Sequence, residues 1–239
     1  MAVIHHTTMQ PTKMELLASW LPTRDWYAGR AGGPSPAKAG GFRLDDPAGE
    51  VGIEFMVVTD GAEEGAAAYL VPMTYRGAPL EGADHALIGT SEHGVLGTRW
   101  IYDGAHDPAL VGQLYALLRG HAVAQDQSVN DTPDLTVSVS LTGAGAEGAG
   151  GDAELVRVTE GADHTEVVVR TSGDGAGRLA LRVRRVLRAD GSDGSDGSDG
   201  SDGSDGSDGD SGLGGVTAEW VRPDGTTARG AFAVVDGVL

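Results

Sequence analysis

The chain has 239 residues, 22% of them charged, with a formal charge of -18, no cysteine, and apolar runs only a few residues long. That length holds one large domain or two small ones. It excludes a membrane-spanning helix, a disulfide framework, a thiolate metal site and a cysteine nucleophile. Nucleic acid is not an expected partner, because no basic face is evident and eight of the aspartates fall between Asp190 and Asp210, leaving the rest mildly acidic.

The N-terminus Met1-Ala-Val-Ile-His-His-Thr-Thr lacks the charged and apolar regions of a signal peptide, so a cytoplasmic location is expected. Ala2 to Thr7 reads as a strand, on which His5 and His6 would face opposite sides and share no metal. Thr12-Lys-Met-Glu15 fits a capping box, predicting a helix from Lys13 to Trp20 that Pro22 stops. Ser19 to Arg30 then concentrates Trp20, Arg24, Trp26, Tyr27 and Arg30 in a chain otherwise poor in aromatics. Large aromatics bury much apolar area, so the cluster reads as a place where a core closes or a partner docks. Ala28 to Gly41 is expected to be a loop.

Strand-like segments follow at Gly41–Leu44, Val51–Thr59 and Ala66–Tyr75, the last two joined by the Asp60-Gly61 turn. Ala86–Gly89 and Val95–Tyr102 continue the sheet. Asp107-Pro108 places an N-cap before a proline at the first helical position, and Leu110, Val111, Leu114, Leu117 and Leu118 follow at helical spacing up to Gly120.

A second, mainly antiparallel region is expected after Asn130. Leu135, Val137, Val139 and Leu141 alternate with polar residues, and Leu155–Thr159, Thr165–Arg170 and Arg178–Arg188 read as strands. In the last of these, Leu179, Leu181 and Val183 alternate with arginines, predicting a basic outer face. Val216–Val221 and Thr227–Val235 flank the hairpin turn Pro223-Asp-Gly-Thr226. Six Gly-Ser-Asp triplets, Gly191 to Asp208, offer no apolar anchor and read as a solvated low-complexity linker. Their three-residue period matches neither an EF-hand loop nor a calcium β-roll.

Four ordered motifs carry a resemblance. The Ser19–Arg30 segment, Tyr69-Leu-Val-Pro72, Ala86-Leu-Ile-Gly-Thr90 and Tyr102-Asp-Gly-Ala-His-Asp-Pro108 are together similar to the N-terminal cap of actinobacterial maltokinases. The resemblance implies an α+β fold: a cystatin-like cap, meaning a curved antiparallel sheet with packed helices, followed by a mainly antiparallel β region. With the readings above, a cap-like domain is expected at 1–120, a β-rich region at 130–239 and a disordered Gly-Ser-Asp insert at 189–215. Whole maltokinases are about twice as long and phosphorylate maltose with ATP in trehalose and glycogen metabolism.

The kinase centre is not carried over. Phosphoryl transfer there needs a strand lysine, an aspartate after a histidine, and an asparagine for Mg²⁺. Lys13 and Lys38 are the only lysines, Arg182 stands where a strand resembling the family's would carry one, and Asn130 is the sole asparagine. His85, His93 and His106, with Asp84, Glu92, Asp103 and Asp107, read as loop residues and a helix cap before they read as a zinc site. No catalytic residue, cofactor or metal is therefore expected. The expectation is a non-catalytic, accessory or regulatory protein partner of an enzyme of α-glucan, maltose or trehalose metabolism. Its candidate partner surface comprises Trp20, Arg24, Trp26, Tyr27, Arg30, Tyr102, Asp103 and Asp107. The alternatives are a carbohydrate-active enzyme or degenerate maltokinase, and a carbohydrate-binding module that would need exposed aromatics. A glucan-branching barrel is excluded by size, since such barrels take about 250 residues.

Overall fold

A computed structural model describes residues 8–29, 31–63, 65–129, 131–142, 151–173, 176–190 and 212–238. The expected strand at Ala2–Thr7, with His5 and His6, lies outside the described residues. So do Arg30, Asn130 and residues 191–211, the greater part of the expected insert.

The chain opens with β1 (Met9–Gln10) and α1 (Lys13–Trp20), whose capping box forms as expected: the Glu15 amide donates to the Thr12 hydroxyl, and the Thr12 amide to the Glu15 carboxylate. Strands β2 (Pro36–Leu44), β3 (Gly52–Asp60) and β4 (Ala68–Arg76) form a meander, followed by β5 (Leu87–His93) and β6 (Gly97–Asp103). Helix α2 (Pro108–Leu118) is capped by the Asp107 carboxylate, which accepts from the Ala109 amide. Then come β7 (Ser138–Leu141), β8 (Ala153–Glu160), β9 (His164–Thr171), β10 (Arg178–Arg184), β11 (Val186–Leu187), β12 (Gly214–Val221) and β13 (Thr227–Val238).

The expected α+β architecture, a cystatin-like cap with packed helices ahead of a β region, is corrected by this arrangement. The described residues are mostly antiparallel β, 47% strand against 14% helix, with two α-helices and one 13-stranded sheet among them. The physical reason is non-local pairing. β12 pairs with β2 at Trp220 and Gly40, and β11 pairs with β4 at Val186–Tyr69 and Leu187–Ala68. Pairing therefore runs β4-β3-β2-β12-β13-β10, and the chain continues from β10 through Arg185 into β11 and back to β4. Strands from before and after residue 130 thus make one circuit.

Two elements depart from their expected limits. β2 starts at Pro36, inside the expected loop, because its pairing with β3 continues past a bulge between Lys38 and Gly40, where its other edge meets β12. The alternation at Leu135–Leu141 yields only the four-residue β7, and Leu135 is 91% exposed.

Two cores lie on opposite faces of β3 and β4. One gathers Phe42, Phe55 and Val57 with Leu110, Leu114 and Leu118 of α2, and with Leu181, Val216 and Phe232 from the later strands. Phe42 stacks on Phe55 and Phe232 at centroid distances of 4.6 and 5.9 Å. The other packs Leu17, Trp20, Leu21 and Trp26 on Met56, Val58, Tyr69 and Val71. Period-two alternation along β3 and β4 sends neighbouring residues to these separate cores.

Candidate functional site

β4 offers one edge to two strands. β6 pairs with its C-terminal half, Met73 opposite Asp103, and the Leu70 amide donates to the Arg185 carbonyl at 2.9 Å just before β11. The ends of β6 and β11 therefore meet across the stretch from Leu70 to Met73, with two residues between, roughly 10 Å of strand. A long side chain closes that gap. Arg185 Nη2 donates to Asp103 Oδ2 at 2.6 Å, and both side chains are buried.

Arg185 is 0% exposed, and its burial is made tolerable by the groups around it. Its Nε donates to the Thr165 hydroxyl of β9 at 2.7 Å, and its guanidinium carbon sits 5.3 Å from the Trp26 ring centroid. Glu160 Oε1 at the end of β8 lies 3.9 Å from Nη2. Asp103 is held from its own side as well, its Oδ1 accepting from the Ala105 amide at 3.2 Å.

The network continues to the surface through two histidines. His106, in the 3₁₀ turn after β6, approaches Glu160 Oε1 through Nε2 at 3.2 Å and His85 Nε2 through Nδ1 at 3.1 Å. Glu160 also accepts from the Thr165 hydroxyl at 3.0 Å. Burial pushes the Glu160 carboxyl up, but hydrogen bonds from His106 and Thr165 and the charge of Arg185 outweigh it and hold the group at about 2. It is ionised throughout the neutral range.

The expected partner surface is placed as follows. Trp20, Trp26, Tyr102, Asp103 and Asp107 are all buried. Trp20 and Trp26 meet edge to face at 5.7 Å, and Trp26 lies 5.9 Å from Tyr69. Tyr27 is half-buried and donates its hydroxyl to Asp60 at 2.6 Å. Arg24, also half-buried, lies 4.9 Å over Trp20. The Tyr102 hydroxyl accepts from the Leu80 amide at 2.9 Å. Asp107 accepts two hydrogen bonds from Arg76, at 2.6 and 2.7 Å, and one from Thr74 at 2.7 Å. Arg185 lies against Trp26 of the first segment and Asp103 of the second, so the chain's own later strands reach both.

Sequence reading missed Arg185, Glu160 and Thr165. A signal for the arginine was present: counting by two from Leu179 through Leu181 and Val183 lands on Arg185, an inward position. His93, Lys13 and Arg182 are engaged elsewhere. His93 Nδ1 accepts from the Val95 and Leu96 amides in the β5–β6 turn. Lys13 forms an ion pair with the buried Glu54 at 2.6 Å, and Arg182 pairs with Asp236 at 2.9 Å. Burial raises the Glu54 carboxyl, yet Lys13 and the Tyr75 hydroxyl leave it below the usual carboxylate range. No helix among the described residues is long and apolar enough to cross a membrane.

Residues 20–107 match the family model of the maltokinase N-terminal cap domain. The matched stretch runs from the first tryptophan of the buried cluster to the N-cap of α2, and contains Trp26, Asp103 and His106. A cap-domain-like region is therefore present, and Arg185, Glu160 and Thr165 reach it from beyond the match.

Proposed function

We propose that this chain is a non-catalytic, cap-like accessory protein whose cap region is engaged from within by its own later strands, and that it serves an enzyme of maltose, trehalose or α-glucan metabolism. The observation that carries this reading is the buried Arg185–Asp103 pair beside Trp26, which joins the cap-like region to strands outside it. The maltokinase association of the cap supports the metabolic setting. The sequence supports the absence of phosphoryl transfer, since Arg182 stands where the strand lysine would be. With Trp20 and Trp26 buried, those rings offer no platform on which a sugar could stack.

The test has two arms. Pure protein incubated with maltose and ATP is expected to form no maltose 1-phosphate, and to bind an enzyme of this metabolism in a fixed ratio when the two are mixed. ATP-dependent turnover that disappears on mutating an acidic residue would overturn the non-catalytic reading. Failure to bind any such enzyme, with saturable binding of maltose or a maltooligosaccharide instead, would favour a carbohydrate-binding module.

A further inference from the structure

The geometry points to a surface site for a divalent transition metal such as zinc, ligated by His85 Nε2 and His106 Nδ1, with Glu160 as the carboxylate that orients His106. Three side chains from different parts of the fold line up here. His85 lies in the 3₁₀ turn before β5, His106 in the turn after β6, and Glu160 ends β8. The Glu160 carboxylate accepts from Nε2–H of His106 at 3.2 Å, which leaves the lone pair of Nδ1 facing His85 Nε2 at 3.1 Å. A carboxylate holding the far nitrogen of a ligating histidine is the usual outer support of a metal-bound imidazole.

The two facing nitrogens are 3.1 Å apart, and the rings cross at 83° with centroids 4.8 Å apart. Zinc–nitrogen bonds of about 2.0–2.1 Å in a tetrahedral site put neighbouring ligand atoms about 3.3 Å apart, so an ion enters as the nitrogens part by a few tenths of an ångström and the rings turn to bring both lone pairs onto it. It replaces the proton shared by the two rings, and His85 takes up the Nδ1–H tautomer, so no net proton is released. His85 is exposed, so water or a small anionic ligand completes the shell.

Asp103 also borders His106 and Glu160, one potential ligand atom of each of the three lying within 4.8 Å of the others. It is nevertheless not a ligand. Its Oδ2 is held by Arg185 at 2.6 Å and its Oδ1 by the Ala105 amide. Arg185 also lies 3.9 Å from Glu160 Oε1, which favours binding on the His85 side of His106, away from the guanidinium.

The test titrates Co²⁺, then Zn²⁺ in competition, into the full chain, read by visible absorption and calorimetry. One Co²⁺ per chain is expected to bind saturably, with tetrahedral d–d bands that Zn²⁺ abolishes. His85→Ala and His106→Ala should each remove the signal, Glu160→Gln should weaken binding by about 10–100-fold, and His93→Ala should leave it unchanged. Circular dichroism checks that each variant is folded, and exposed His85 carries the test if His106→Ala is not. Binding that is not saturable overturns the proposal, as does binding that survives His85→Ala, which would place the metal on the aspartate tract or on His5 and His6.

Discussion

At the scale of single residues, burial separates the cap-like segment's side chains into those that hold the molecule and those that decorate it. Trp26 is 3% exposed and stacks among Trp20, Tyr69 and Arg185. Truncating such a ring removes its transfer energy and leaves a cavity, so Trp26→Ala should cost about 3–5 kcal/mol in urea unfolding. Arg24 is half-buried, lies over the Trp20 ring and donates to the neighbouring Thr23 hydroxyl, and Arg24→Ala should cost no more than about 1 kcal/mol. Glu160 gives a pH signature. Its folded-state value of about 2 lies below its ordinary 4.5, so the stability it lends is present above pH 4.5 and is lost as the pH falls towards 2. Glu160→Gln should flatten the stability profile in that window and leave the profile near pH 7 parallel to that of the unchanged chain. The aromatic cluster and both aspartates were visible in the sequence as special residues. Whether they faced inward was not, because that depended on Arg185, which lies 82 positions from Asp103 in the chain.

At the scale of elements, the boundaries that local chemistry dictates were legible. The capping box of α1, the Asp107-Pro108 start of α2, and the β3–β4 and β12–β13 hairpins all follow from residues within a few positions of each other. The same Asp107 carries more than a cap, since Arg76 and Thr74 of β4 bind its fully buried carboxylate. Asp107→Ala leaves Arg76 without that partner and frees the first turn of α2, and should cost about 3–5 kcal/mol. Beside the bulge in β2, where the strand bends between β3 and β12, Gly41 has φ +115°, and a Cβ there would lie 1.8 Å from the Phe55 carbonyl oxygen. Gly41→Ala should therefore cost at least about 1–3 kcal/mol, from strain that no side chain nearby can relieve. That bend could not be read in advance: a Gly-Gly pair reads as loop chemistry until a distant strand is known to need the approach.

At the scale of the whole molecule, the fold rests on pairings that no local pattern encodes. β11 against β4 and β12 against β2 join stretches over a hundred residues apart, and they convert what reads as a cap plus a β region into one continuous sheet. The alternating Leu135–Leu141 run shows the opposite failure, a strand pattern with too little sheet to receive it, so that Leu135 stays exposed. The central claim is that the face carrying Trp26 and Asp103 is held by the chain's own later strands. A double-mutant cycle on Asp103 and Arg185, measured by urea unfolding of the full chain, tests this most directly. Each single alanine variant strands a buried charge and should cost about 3–5 kcal/mol, while the double variant should cost less than their sum by at least about 1 kcal/mol. Additive costs, with a coupling energy near zero, would mean that the two residues do not meet in the folded protein and would contradict the account.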